Sequence, residues 1–277
     1  MDLLLKRMRE DMTFARRAGK TISVYLASVR AFAAFHGRSP EELGQPEVRA
    51  WVDQLRSKPV SPQRLRQHLS ALVFLYRRTL GRPEAVSFFA WPKDPHRLPV
   101  VLAVEEVSLL LESMPATAYR MLFRLMFATG LRIGEACGLQ TSDLDPILGV
   151  IRVREGKGSK ERLATLHPKL LDALRAHWRL SRPVPPWLFT GKTGHPLDPD
   201  QARRVFKEAV LKAGLHKRAT PHALRHTYAT LLLEGGTDLR VLQVLLGHAS
   251  IRSTERYTQV CTRLVAQAAS PLELLPP

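Results

Sequence analysis

The chain has 277 residues, of which 45% are apolar and 24% charged, a balance typical of globular proteins and far from that of disordered ones. Its length favours two domains. The 42 Lys and Arg against 25 Asp and Glu give a formal charge of +17, which suits a polyanionic partner, nucleic acid ahead of an anionic membrane surface.

Two further features bear on the compartment. The only cysteines are Cys137 and Cys261, which excludes a disulfide framework and a zinc site of four thiols. The first residues, MDLLLKRMREDMTF, are charged within ten positions and lack the apolar core of a signal peptide or membrane anchor. We therefore expect a cytoplasmic protein that does not bind a membrane.

Amphipathic helices are predicted in the first ninety residues. Residues 22 to 36, ISVYLASVRAFAAFH, place apolar side chains at helical spacing. A second helix, 61 to 81, begins with Ser61 as N-cap and Pro62 in the first turn, and ends at Gly81. Its polar face carries candidate phosphate contacts: Arg64, Arg66, Arg77 and Arg78. A solvated helix face explains each of these arginines equally well.

Four prolines interrupt residues 83 to 99, and proline continues neither a helix nor a central strand. The sequence therefore predicts a helical domain at 1–84, whose basic residues are candidates for DNA binding, a linker at 85–98 and a second domain at 99–277. Residues 1 to 98 hold 18 basic and 9 acidic side chains, and the remainder hold 24 and 16. Because both parts are basic, they suit contact with one duplex from opposite sides.

The second half alternates helical patterns with short strands. GVIRV (149 to 153) and RLATLH (162 to 167) are predicted strands, and WLF (187 to 189) is a weaker candidate. The glycines of GKGSKE between the first two strands are typical of a hairpin tip. The expected fold class is mainly α with a small antiparallel β-sheet.

Four local patterns carry candidate chemistry: TGLRIGE (129 to 135), GKGSKER (156 to 162), HALRH (222 to 226) and LLGH (245 to 248), the last followed by Tyr257. Arg132 and Glu135 have the spacing of a structural ion pair or helix cap. His222 and His226 have the spacing of a zinc pair, but the HExxH glutamate is missing and Arg225 between them would repel a cation. GKGSK lacks the spacing of a nucleotide-binding loop.

The four patterns share side chains that can bind a phosphate or attack it. Arginine, lysine and histidine side chains donate to phosphate oxygens, and the tyrosine hydroxyl is the plausible nucleophile among them. No carboxylate cluster is available to hold Mg²⁺, so fixed cations would have to stabilise the charge of the reacting phosphate. We therefore expect no metal and no cofactor.

The ordered set of six residues resembles the active site of the tyrosine recombinases, the phage-integrase and Xer family. The six are Arg132, Lys157, His222, Arg225, His248 and Tyr257. The similarity covers roughly residues 99 to 260 and includes TPHALRHTYATLLLEGG and VLQVLLGHASIRSTERYT, whereas residues 1 to 90 resemble the family's helical core-binding domain only in outline.

The resemblance implies a C-shaped clamp of two domains on double-stranded DNA that carries a specific site, with four chains acting on paired sites and no small-molecule substrate. Tyr257 would attack a phosphate to give a 3′-phosphotyrosine and a free 5′-hydroxyl without ATP, and another 5′-hydroxyl would reverse the step.

The resemblance also implies a role for each site residue. His222 would accept the tyrosine proton while Arg132 and Arg225 hold the phosphate. Lys157 would protonate the leaving 5′-oxygen, and His248 would donate to the phosphate. Glu135 would orient Arg132, and Lys160 on the hairpin would contact DNA.

The sequence leaves three questions open. A type IB topoisomerase would use a similar residue set to relax DNA, and a DNA-binding regulator could retain the residues without catalysis. Within the family, the sequence does not separate chromosome-dimer resolution from integration or transposition of a mobile element. The tail after Tyr257, VCTRLVAQAASPLELLPP, is predicted to dock on a neighbouring subunit or to fold back on its own domain.

Overall fold

The computed structural model describes residues 1–92, 98–154, 161–191, 193–248 and 250–258. Over these residues the chain is mainly helical with a three-stranded antiparallel sheet, which confirms the predicted fold class. The chain divides into two compact units, Met1–His96 and Arg97–Pro277. Within the described ranges, none of the helices combines the length and the apolar character needed to cross a membrane.

The first unit is helical. Its α-helices are α1 (Asp2–Phe14), α2 (Gly19–His36), α3 (Gln45–Ser57) and α4 (Pro62–Phe74). The Ser61 hydroxyl accepts a hydrogen bond from the backbone N–H of Arg64 (3.3 Å), which caps α4 as predicted. Phe32 of α2 lies edge-on against Trp51 and Tyr76, with ring centroids 5.3 and 6.4 Å away, at the centre of the core.

The segment assigned to the start of the linker packs in this first unit. Pro83–Val86 forms a short 3₁₀-helix in which Ala85 and Val86 are buried, and Phe88 and Phe89 pack beside them. Burial of these apolar side chains stabilises the segment despite its helix-breaking proline. Residues 93–97 lie outside the described part of the chain, so the domain bounds stay predictions.

The second unit contains the sheet and the remaining helices. In chain order these are α5 (Val104–Glu112), α6 (Ala118–Thr129), α7 (Ile133–Cys137), β1 (Leu144–Asp145), β2 (Val150–Val153), β3 (Arg162–Thr165), α8 (Pro168–Ser181), α9 (Pro199–Lys212), α10 (Pro221–Glu234), α11 (Leu239–Leu246) and α12 (Arg252–Glu255). Helix α10 packs against α6, and α11 lies beside β3.

The sheet has the order β1-β2-β3, and Ile151 of β2 pairs with Ala164 of β3 in its buried face. The two predicted strands are therefore present in shorter form. WLF was wrong as a strand, because Trp187 makes only an isolated bridge to Gln140. The third strand is instead Leu144–Asp145, and two residues are too few to show a strand period.

Candidate active site

Arg225 of α10 is the buried centre of the site, with 3% of its surface exposed. Its guanidinium donates to the carbonyl oxygens of Gly130 and Leu246, both at 2.6 Å, and lies 3.1 Å from Nε2 of His248. Burial, and then the nearby Arg132, lower the pKa of Arg225 to about 10, so the side chain remains a cation at neutral pH. Arg225, which lies in the pattern HALRH, thus contacts residues of two further patterns, TGLRIGE and LLGH.

Two glycines allow this close packing. Gly130 ends α6 with φ of 65°, and a Cβ there would lie 2.5 Å from the ring of Tyr228. Gly247 ends α11 with φ of 63°, and a Cβ there would lie 2.6 Å from Cδ of Arg162. Only glycine combines this left-handed backbone with so little space. Both helix ends can therefore turn their last carbonyl oxygens toward Arg225.

Glu135 is held between two arginines. Its carboxylate accepts from the side chain of Arg132 (2.7 Å) and from its backbone N–H (2.8 Å), and also from both terminal nitrogens of Arg162 (3.0 and 2.6 Å). Burial raises the pKa of Glu135, but the hydrogen bonds from Arg162 and Arg132 outweigh it and hold the pKa at about 2. The ion pair predicted between Arg132 and Glu135 is present.

Arg162 was missed as a site residue, although it closes the pattern GKGSKER. Besides its paired bonds to Glu135, its Nε donates to the carbonyl oxygen of Leu245 (3.0 Å). The side chain is 6% exposed. Arg162 therefore links β3 to α11 and holds the carboxylate that orients Arg132.

Both ring nitrogens of His248 are engaged by protein groups. Nε2 faces the guanidinium of Arg225 at 3.1 Å, and Nδ1 lies 2.9 Å from the hydroxyl of Thr254. Because a guanidinium only donates, Nε2 accepts, and the ring proton lies on Nδ1. Burial and Arg225 lower the pKa of His248 to about 4, in agreement with a neutral ring. In this arrangement Nε2 has no proton to give to a phosphate.

Tyr257 follows α12 and is 1% exposed. Its ring lies nearly parallel to that of His248, with centroids 6.2 Å apart and an angle of 11°. Burial raises the pKa of Tyr257, although Arg225 and Arg256 favour the phenolate. The predicted nucleophile therefore lies beside Arg225 of the same chain.

The imidazole that contacts the Tyr257 hydroxyl belongs to His226. Its Nδ1 lies 3.2 Å from the hydroxyl oxygen. His222, to which the sequence assigns this contact, is exposed, and its ring stacks on that of His226 with centroids 6.2 Å apart. Reasoning from sequence missed His226 because its spacing from His222 indicated only a zinc pair. Its place directly after Arg225 was the available signal.

The other predicted residues lie elsewhere. Lys157 and Lys160 fall outside the described residues. In the first unit Arg64, Arg77 and Arg78 are exposed, and Arg66 donates to the carbonyl oxygen of Pro92. The structure therefore brings together, within the described residues, the following predicted members: Arg132, Glu135, His222, Arg225, His248 and Tyr257.

The site surrounds a phenol with guanidinium and imidazole groups. In the part of the chain that the structure describes, His, Cys, Asp and Glu side chains do not gather in a group of three that could hold a metal ion. A tyrosine beside fixed cations on a helical frame is the arrangement expected of an enzyme that attacks a phosphodiester with a phenol oxygen.

Comparison with known proteins identifies the particular family. The family model "Phage integrase family" matches residues 101–263, and "Phage integrase, N-terminal SAM-like domain" matches residues 4–85. A putative integrase/recombinase of Sinorhizobium fredii is 38% identical, over 100% of this chain and 90% of that protein. Tyrosine recombinase XerA of Pyrococcus furiosus is 33% identical, over 97% and 94%.

Among solved structures, XerH site-specific recombinase in a post-cleavage complex with palindromic difH substrate matches with a TM-score of 0.73 and 25% identity, over 91% of this chain and 80% of that one. The chain belongs to the phage integrase family. It is a tyrosine recombinase, an enzyme that cleaves and rejoins DNA.

Proposed function

We propose that the chain exchanges strands between specific DNA sites through a covalent 3′-phosphotyrosine on Tyr257. The observation that carries this proposal is the burial of the Tyr257 phenol beside Arg225, whose guanidinium is itself fixed by two backbone carbonyl oxygens. A preorganised cation next to a nucleophile stabilises the charge that develops on a reacting phosphate at little cost in reorganisation.

The bond changes balance without a cofactor. The phenol oxygen of Tyr257 forms a bond to phosphorus as the bond to the 5′-oxygen breaks. A protein base removes the phenol proton, and Lys157 protonates the leaving 5′-oxygen. Arg132 and Arg225 hold the non-bridging oxygens, and Glu135 keeps Arg132 in place. Attack by the 5′-hydroxyl of another strand reverses each change and rejoins the DNA.

The test uses Tyr257→Phe, which removes only the nucleophilic oxygen. DNA trapped covalently on the natural protein in its host would first be sequenced to supply the duplex. We expect the variant to bind this duplex with normal affinity and to form no adduct that survives denaturing gels. Tyr119→Phe, which removes a phenol hydroxyl elsewhere in the same unit, should form the adduct normally. An adduct with Tyr257→Phe would contradict the proposal, and relaxation of supercoiled DNA without strand exchange would indicate a topoisomerase.

We further propose that four chains act together on two paired duplexes. Each chain carries one nucleophile, and exchange between two duplexes breaks four strands. The apolar tail after Tyr257 is proposed to join neighbouring subunits. Truncation after Thr262 should then leave binding of one duplex unchanged and abolish complexes that contain two, as native gels with two labelled duplexes would measure. Complexes with two duplexes from the truncated chain would contradict this role of the tail.

A further inference from the structure

Thr254, in the short helix α12, contacts two of the predicted catalytic residues. Its hydroxyl lies 2.9 Å from Nδ1 of His248, and its backbone carbonyl oxygen accepts a hydrogen bond from the N–H of Tyr257 (2.9 Å). The residue is 0% exposed, so water does not compete for these contacts. One buried threonine therefore ties the ring of His248 to the backbone that carries Tyr257.

The other contacts of His248 come from different elements. Its N–H donates to the carbonyl oxygen of Gln243 on α11 (3.1 Å), and its own carbonyl oxygen accepts from the side-chain amide of Gln243 (3.0 Å). Nε2 of the ring faces Arg225 on α10 at 3.1 Å. The bond at Nδ1 is thus the contact that joins the ring to α12.

The ring of His248 has two neutral forms, and a hydroxyl can pair with both. In the structure Nε2 faces a guanidinium, so the ring proton lies on Nδ1 and is donated to Oγ1 of Thr254. A phosphate oxygen only accepts, so a ring that binds one through Nε2 carries its proton there, and Nδ1 then needs a donor. Because a hydroxyl both donates and accepts, Thr254 can keep its bond to Nδ1 in either form.

We propose that Thr254 is a positioning residue for DNA cleavage: its hydroxyl holds the His248 ring in both neutral forms, so that Nε2 can donate to the phosphate that Tyr257 attacks. The proposal rests on the proposed function, with Tyr257 as the nucleophile and His248 as a phosphate donor. The protons balance, because water takes one from Nδ1 and supplies one to Nε2, and the Thr254 hydroxyl turns from accepting to donating. A side chain that only donates or only accepts would fit one form alone.

The experiment measures single-turnover cleavage of a duplex nicked near the cleavage site, so that the released strand cannot rejoin. Thr254→Val removes the hydroxyl but keeps a branched side chain and the backbone carbonyl oxygen that holds Tyr257. Thr254→Ser keeps the hydroxyl. Thr258→Val makes the same change at an exposed threonine of the same segment and is the matched control.

We expect Thr254→Val to bind the duplex normally and to cleave it about 10- to 100-fold more slowly, the effect typical of groups that orient a functional side chain. Thr254→Ser should keep most of the wild-type rate, and Thr258→Val all of it. Thr254→Ala is a second variant without the hydroxyl, and whichever of the two melts like wild type decides the test. If neither does, the hydroxyl is needed for folding and the positioning role is rejected.

An effect that acts through His248 must disappear when the ring nitrogens are absent. His248→Phe keeps a ring without nitrogens, and adding Thr254→Val to it should slow cleavage no further, whereas independent effects would multiply. A further slowdown by the full factor would overturn the proposal, as would a wild-type rate for Thr254→Val or an equal defect in Thr254→Ser. Failure of the wild-type protein to form any adduct would instead contradict the proposed function.

Discussion

The two units of the chain carry positive charge in different ways. In the first unit, Arg64 on α4 is exposed, and so are Arg77 and Arg78 on the π-helical turn that follows it. In the second, Arg225 is 3% exposed and its guanidinium is fixed by two backbone carbonyl oxygens and a histidine. An exposed arginine can follow a phosphate wherever it lies, whereas a buried one holds a single position.

The buried and the exposed arginines differ in the free energy of desolvating their charge as well as in geometry. Burying a charge is expensive, and the hydrogen bonds to Gly130 and Leu246 offset part of that cost. The gain is a cation that needs no reordering when a phosphate arrives, which favours the transition state of the reaction. Exposed arginines keep their hydration and are screened by salt, so they contribute to binding without fixing a reacting atom.

The largest effect is expected from Arg225→Lys, which keeps the charge but not the planar fork that reaches two carbonyl oxygens. Cleavage in a single turnover should fall by about 10³-fold, and the free energy of unfolding should fall by about 3 kcal/mol because buried groups lose their partners. Rapid-quench assays and thermal melting measure the two quantities. Arg240→Lys, on the exposed surface of α11, is the control. Similar behaviour of the two lysine variants would erase the distinction between buried and exposed arginines.

Lys157 differs from the arginines of both units, because its proposed role is to donate a proton to the leaving 5′-oxygen and not only to carry a positive charge. Lys157→Ala should cleave ordinary DNA on the order of 10²-fold more slowly. Replacing the 5′-bridging oxygen with sulfur should restore the rate, since a thiolate leaves without a proton. An equal defect on both substrates would reassign Lys157 to phosphate or base contact.

Glu135→Gln tests whether the carboxylate between Arg132 and Arg162 stabilises the second unit. Its folded pKa of about 2 lies below the ordinary value of 4.5, so its contribution is present above pH 4.5 and is lost as the pH falls toward 2. The shift corresponds to about 3 kcal/mol. Wild type should therefore lose stability in urea between pH 4.5 and 2, and Glu135→Gln should show a smaller loss there. If stability in urea falls with pH in parallel for wild type and Glu135→Gln, the pairing of Glu135 with Arg132 and Arg162 does not stabilise the second unit.

The fold was largely readable from the sequence, and its exceptions have physical causes. Helical spacing and the glycine-rich tip predicted the helices and the hairpin strands. The segment 61 to 81, however, is not one regular helix, because Leu75–Thr79 forms a π-helical turn. That turn buries Tyr76, whose hydroxyl donates to the carbonyl oxygens of Pro40 and Leu43, and no local pattern encodes contacts so distant in sequence.

The pairing of Arg132 with Glu135, which was predicted from local spacing, is present in the structure, whereas two long-range contacts were missed. Arg132 and Glu135 are three residues apart, so their pairing follows from helix geometry. Arg162 reaches the same carboxylate from 27 residues away, through the pairing of strands and helices. The Nδ1 atom of His226 contacts the Tyr257 hydroxyl across 31 residues, and which histidine of α10 makes that contact depends on where the segment after α12 places Tyr257. Tertiary packing decides both contacts.

The smallest effect is expected from the exposed arginines of the first unit. Arg77→Gln and Arg78→Gln should each leave the folded structure and single-turnover cleavage at saturating protein unchanged, because neither side chain is buried. If each contacts one phosphate, the slope of log affinity against log salt should become shallower by about 0.9 for each variant, and by about 1.8 for the pair. Titration of a labelled duplex at several KCl concentrations measures these slopes.

Arg38→Gln is the control, since Arg38 is exposed in the same unit but pairs with Glu42 at 3.3 Å. Arg225→Lys, which keeps its charge, should retain the wild-type slope while losing cleavage. Unchanged slopes for Arg77→Gln and Arg78→Gln would mean that these two side chains are solvated in the complex, and would leave the DNA contacts of the first unit to other basic residues.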